Sequence, residues 1–89
     1  MFSGIVEEFA TVTKLVREQG NLHLTLTCSF TNELKIDQSV SHNGVCLTVV
    51  NIEGNEYTVT AMSETLERSN IGLLEVGDKV NVERSMMMN

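Results

Sequence analysis

The chain has 89 residues, with six Lys and Arg against twelve Asp and Glu, a formal net charge of −6 and an isoelectric point near 4.7. That length supports one small core and not two. Six scattered basic residues and four aromatics (Phe 3, Tyr 1, Trp 0) cannot build the basic groove and stacking platforms that nucleic acids require, so no nucleic-acid partner is expected.

Apolar runs fall far short of the roughly 20 residues that cross a bilayer, and no leader-like segment stands at Met1, so a cytoplasmic, membrane-free protein is expected. Cys28 and Cys46 lack Cys-x-x-Cys spacing, which argues against a metal cluster or redox pair; one disulfide between them is open by count, and the expected cytoplasmic setting favours reduced thiols. No bound metal is expected.

In chain order, strand signals dominate. A first strand is expected from Ile5 to Val16, with a bend or bulge near its start where Gly4 and the Glu7-Glu8 pair fall. Gln19-Gly20-Asn21 turns the chain into a second strand. There Leu22, Leu24, Leu26 and Cys28 alternate with His23, Thr25 and Thr27, the period of two that marks one buried and one outward face. His23, on the polar side, is expected to be solvated. Residues 29–37 are less regular, with Phe30, Leu34 and Ile36 as expected core anchors, and Val40 belongs to a short strand.

The segment Ser39-Val40-Ser41-His42-Asn43-Gly44-Val45-Cys46-Leu47-Thr48-Val49-Val50 carries the most information. His42-Asn43-Gly44 is a polar turn whose Gly44 is the residue least restricted in the left-handed backbone region. The strand after it places Val45, Leu47 and Val49 on one side and Cys46, Thr48 and Val50 on the other. One face is purely aliphatic, and the other mixes a thiol, a hydroxyl and an isopropyl group. Glu53-Gly54-Asn55-Glu56 then reads as a hairpin turn into a strand where Tyr57, Val59 and Ala61 alternate with Thr58, Thr60 and Met62. Ser63 fits a helix N-cap and Glu64 a first turn, with Thr65 to Ser69 as one or two helical turns. Glu75-Val76-Gly77-Asp78 turns again, and Lys79 to Arg84 alternate as a last strand. This many short strands in so small a chain need closure to hide their edges, which favours a small antiparallel barrel.

Together with Met1-Phe2-Ser3-Gly4-Ile5-Val6, the Ser39–Val50 segment resembles the N-terminal barrel of riboflavin synthase, with its Met-Phe-Thr-Gly-Ile-Val opening and Ser-Val-x-His-Asn-Gly-x-Cys-Leu-Thr-Val segment. The likeness continues through Met62-Ser63-Glu64-Thr65-Leu66, Asn70-Ile71-Gly72 and Gly77-Asp78-x-Val80-Asn81-Val82-Glu83-Arg84, nearly the whole chain. Ser3 stands where Thr is usual, and Val45 where a second Cys often sits. Neither departure removes a side chain that the chemistry plainly needs.

The resemblance implies an all-β fold: a small closed six-stranded antiparallel Greek-key barrel with a short helix. It makes residues 1–89 a single lumazine-binding barrel, the N-terminal half of a two-barrel enzyme. That enzyme converts two molecules of 6,7-dimethyl-8-ribityllumazine to riboflavin and a ribityl-aminopyrimidine, with no cofactor beyond lumazine or riboflavin as bound ligand. The implied partners are a second barrel of the same type, as a homodimer of the lone barrel, and a homotrimer of the two-barrel parent. The rival reading is a non-catalytic lumazine or flavin carrier.

Site residues follow by the same route. The ligand-binding set is Phe2, Ser3, Gly4, Ile5, Val6, Ser41, Cys46, Leu47, Thr48, Thr60, Ala61, Met62, Ser63, Glu64 and Thr65. Cys46, Ser39 and His42 are the catalytic candidates. By residue type alone each has a plainer role: Cys46 as a small strand hydrophobe, Thr48 as a β-branched strand former, His42 as a turn residue, and Ser63 with Glu64 as cap and first-turn acid. A flat heterocycle is served by backbone groups at strand ends with Met62 and Ile5 or Val6 against its faces, and a ribityl chain by Ser41, Thr48, Thr65 and Glu64.

Overall fold

The computed structural model describes residues 8–85. Six strands run in the order β1 (Glu8–Glu18), β2 (Asn21–Thr27), β3 (Ser39–His42), β4 (Val45–Glu53), β5 (Glu56–Ala61) and β6 (Lys79–Arg84), with one helix, α1 (Ser63–Arg68). Every strand pairing is antiparallel, and the spatial order β1-β2-β5-β4-β3-β6 closes on itself as a barrel. Closure leaves no free edge, as expected for strands this short.

The alternation read from the sequence decides what fills the barrel. Leu22, Leu24, Leu26, Val40, Leu47, Val49, Tyr57, Val59, Ala61, Val80 and Val82 all point inward and are buried. Their neighbours along each strand face out. Two tight hairpins set the register. Gln19 and Gly20 have φ of 52° and 84°, and Asn43 and Gly44 have 51° and 86°, the paired positive angles of a type I′ turn that matches strand twist.

Several expectations need correction. Ile36 is 52% exposed. The chain turns out at Ile36-Asp37, where Asp37 takes φ 74° and its N–H bonds the Val49 carbonyl at 2.8 Å, so Phe30 and Leu34 anchor this stretch without it. The irregularity in β1 lies between Val12 and Lys14 and not at Glu8, while Gly4 to Glu7 lie outside the described residues. Ser63 is not the helix cap. The cap position is Met62, and the Ser63 N–H is satisfied by Asn21 Oδ1 at 3.1 Å, so the β1–β2 hairpin caps α1. Nor is His23 freely solvated: Glu18 and Thr60 hold its ring.

Candidate functional site

The outer face of β3 and β4 brings the predicted polar residues together by register. Ser39 lies opposite Thr48, and Ser41 opposite Cys46. Their sequence neighbours Val40, His42, Leu47 and Val49 point inward and are buried. Ser39 and Ser41 are half-buried, whereas Cys46 and Thr48 are exposed. Four hydroxyl or thiol groups thus share one small patch, able to donate to and accept from a polar ligand. Cys46 and Cys28 are both free thiols.

β5 forms the next wall. Its backbone pairing with β4 runs from Glu53–Glu56 to Val49–Val59 and stops there, so Thr48 and Thr60 continue past the end of that ladder on the outer side. Thr60 is half-buried; Met62 is 57% exposed, Ser63 and Glu64 are exposed, and Thr65 is half-buried at the start of α1. A strand pair that stops zipping leaves backbone groups available beside outward side chains, the arrangement a flat heterocycle uses. A cleft of about 610 Å³ adjoins this face at Ser41, lying between the Asn43-Gly44 turn, the end of α1 at Arg68 to Asn70, and Glu83 of β6.

Three predicted site residues point elsewhere. Leu47 and Ala61 are core side chains, so only their backbone can reach an outer ligand. His42 is fully buried inside the barrel. Its Nδ1–H donates to the Val40 carbonyl at 2.9 Å, which leaves Nε2 to accept the Tyr57 hydroxyl at 2.9 Å. Burial lowers its pKa to about 4, so the ring is neutral at pH 7, and the Tyr57 phenol is pushed well above its usual value by the same desolvation. An imidazole in that position fixes the core and does not meet a ligand on the outer face, so His42 is corrected from catalytic candidate to core residue. Phe2, Ser3, Gly4, Ile5 and Val6 lie outside the described residues.

The sequence reading also missed connections. Nothing in the local pattern of Tyr57 reveals that it donates to His42, because the two meet only when β3 and β5 line one barrel. His23 carried a legible signal: it follows a tight hairpin, which sets Glu18 diagonally across from it.

Residues 3–85 match the model of the lumazine binding domain family. The chain belongs to that family. It is 38% identical to the riboflavin synthase of Bacillus amyloliquefaciens over 100% of this chain and 42% of that protein. It is 42% identical to the riboflavin synthase of Escherichia coli (strain K12) over 96% of this chain and 41% of that protein. The chain therefore spans about two fifths of the length of these relatives. Among solved structures, LumP complexed with riboflavin superposes with a TM-score of 0.88 and 27% identity, covering 94% of this chain and 46% of LumP. LumP complexed with 6,7-dimethyl-8-(1'-D-ribityl) lumazine gives 0.89 and 25%, covering 100% of this chain and 50% of LumP.

Proposed function

We propose that this chain is the N-terminal barrel of a riboflavin synthase, binding 6,7-dimethyl-8-ribityllumazine and riboflavin on the outer face of β3, β4 and β5. The observation that carries the reading is the register that gathers Ser39, Ser41, Cys46 and Thr48 into one outward patch next to Thr60 and Met62, in a barrel whose fold matches LumP in complex with these ligands. In this reading Thr48, Ser41, Glu64 and Thr65 hold polar groups of the ligand, and Met62 packs on its ring. Cys46 and Ser39 stand beside the reacting ring.

The reaction assigned to the parent enzyme moves a four-carbon unit from one lumazine to another. The acidic C7 methyl of the substrate supplies the carbanion, so the protein mainly holds two rings face to face and manages protons. One barrel provides one wall, and a second copy of the barrel is the partner we assign. A homotrimer of the two-barrel parent and a cytoplasmic location go with the reading. A carrier function is the rival, favoured by the likeness to LumP; the higher identity to riboflavin synthases, 38% and 42% against 25% and 27%, favours the enzyme.

Fluorescence titration with riboflavin and with lumazine tests the site. Thr48→Val keeps the shape but removes the hydroxyl, and is expected to weaken binding by about fivefold if it meets the ligand. Absence of binding by the intact chain would refute the assignment. Incubation with lumazine tests the division of labour: the chain alone is expected to form riboflavin very slowly or not at all, since positioning two rings is worth several kcal/mol. Turnover matching that of a two-barrel riboflavin synthase would show that one barrel type suffices.

A further inference from the structure

A hydrogen-bonded line of three side chains runs across the outside of the barrel and ends at the candidate site. Glu18, at the end of β1, places Oε1 2.9 Å from His23 Nε2, and His23 Nδ1 lies 2.8 Å from Thr60 Oγ1. His23 and Thr60 are register partners on β2 and β5. The His23 side chain is 30% exposed and that of Glu18 is 68% exposed, so the ring is partly sheltered while the carboxylate stands in water.

Chemistry orders the protons along this line. A carboxylate only accepts, so the nitrogen facing Glu18 carries the hydrogen. In the neutral ring Nδ1 is then a lone pair, and its partner must be the Thr60 O–H, acting as donor. The Thr60 proton is thereby committed to His23, and the oxygen is left with lone pairs only. A threonine hydroxyl normally rotates to suit either kind of partner; this one is held as an acceptor.

We infer that His23, held in its Nε2-protonated form by Glu18, is a positioning residue that sets Thr60 as a hydrogen-bond acceptor for a ligand donor, either a ribityl hydroxyl or the imide N–H of the ring. The inference rests on the ligand site proposed above, because Thr60 follows the last β4–β5 pair and precedes exposed Met62. It adds a specificity element to that site. A ligand presenting a donor to Thr60 gains a bond there, and one presenting an acceptor meets facing lone pairs.

The test is a double-mutant cycle on the intact chain with riboflavin as probe, read by fluorescence titration. His23→Leu and Thr60→Val are each expected to weaken binding about fivefold, the factor for one neutral hydrogen bond, and the double variant to be no weaker than Thr60→Val alone. His23→Asn restores most of the affinity, because its side-chain oxygen falls near the place of Nδ1 and can accept from Thr60. A purely structural role would rank these variants the other way, since Leu suits a strand better than Asn. Nitrogen NMR on the unliganded protein should show His23 as the Nε2-protonated tautomer.

Equal losses for His23→Leu with and without Thr60, or an Nδ1-protonated ring, would overturn the inference. If Thr48→Val weakens binding but neither His23→Leu nor Thr60→Val does, the line plays no part while the site stands. If none of the three matters, the site itself is misplaced and the inference falls with it. Circular dichroism checks each fold, and the tautomer measurement decides the question if His23→Leu does not fold.

Discussion

Acidifying the protein should destabilise it through His42 in particular, and the size of the effect follows from where the ring sits. The imidazole is fully buried, donates from Nδ1 to the Val40 carbonyl and accepts from Tyr57 at Nε2. Protonation would place a charge in an apolar core, and that loss of solvation is why its pKa falls to about 4 from 6.5, the Val40 hydrogen bond offsetting only part of it. Between those values the unfolded chain binds a proton at His42 that the folded chain refuses. The stability from keeping this ring neutral is therefore complete above 6.5 and is lost as the pH falls through 4. Going from about pH 7.5 to about pH 4.5, the linkage amounts to roughly 2.5 kcal/mol, a large fraction of the total for a domain this small. Urea unfolding across that range measures it. The decisive quantity is the difference in pH dependence between the wild type and His42→Gln, whose amide reaches Tyr57 but does not titrate, because contributions from the rest of the chain are common to both. An overall stability offset in the variant drops out of that difference. Parallel pH profiles, or a His42 ring that titrates near 6.5 by NMR, would refute the reasoning.

Tyr57→Phe should cost about 1–3 kcal/mol by urea unfolding, because it strands the buried lone pair on His42 Nε2; a neutral result would mean that water reaches the ring. Gly44→Ala is expected to cost about 1–2 kcal/mol through backbone strain alone, since φ is 86° and an added Cβ would meet nothing within 4 Å. A stabilised variant would show that this turn can change conformation. Asn21→Ala should cost about 1 kcal/mol by uncapping the Ser63 N–H, whereas Ser63→Ala should stay within about 0.5 kcal/mol. The reverse order in thermal melts would restore Ser63 as the cap.

The strands and their inward faces were legible in the sequence, because period-two alternation in Leu22 to Cys28, Val45 to Val50 and Tyr57 to Met62 is a local consequence of the pleat. The same holds for the Gln19-Gly20 and Asn43-Gly44 hairpins, where residue type limits the backbone angles. The patch of Cys46 and Thr48 could be named from one strand, and the motifs around it pointed to the family. What lay beyond reach was each relation formed across strands distant in sequence. Whether Ser39 and Ser41 meet Thr48 and Cys46 depends on register, and whether Asn21 caps α1 depends on the β2–β5 pairing that sets Leu22 opposite Ala61 and so brings Asn21 to Ser63. Ile36 shows the same limit: an apolar residue in an irregular loop has no periodicity to orient it, and the turn at Asp37 sends it outward. His42 is the clearest case. Its sequence neighbours are turn formers, and only the partners waiting inside the barrel, the Tyr57 hydroxyl and the Val40 carbonyl, make burial of that imidazole affordable, because a buried polar ring is tolerated where both nitrogens are satisfied.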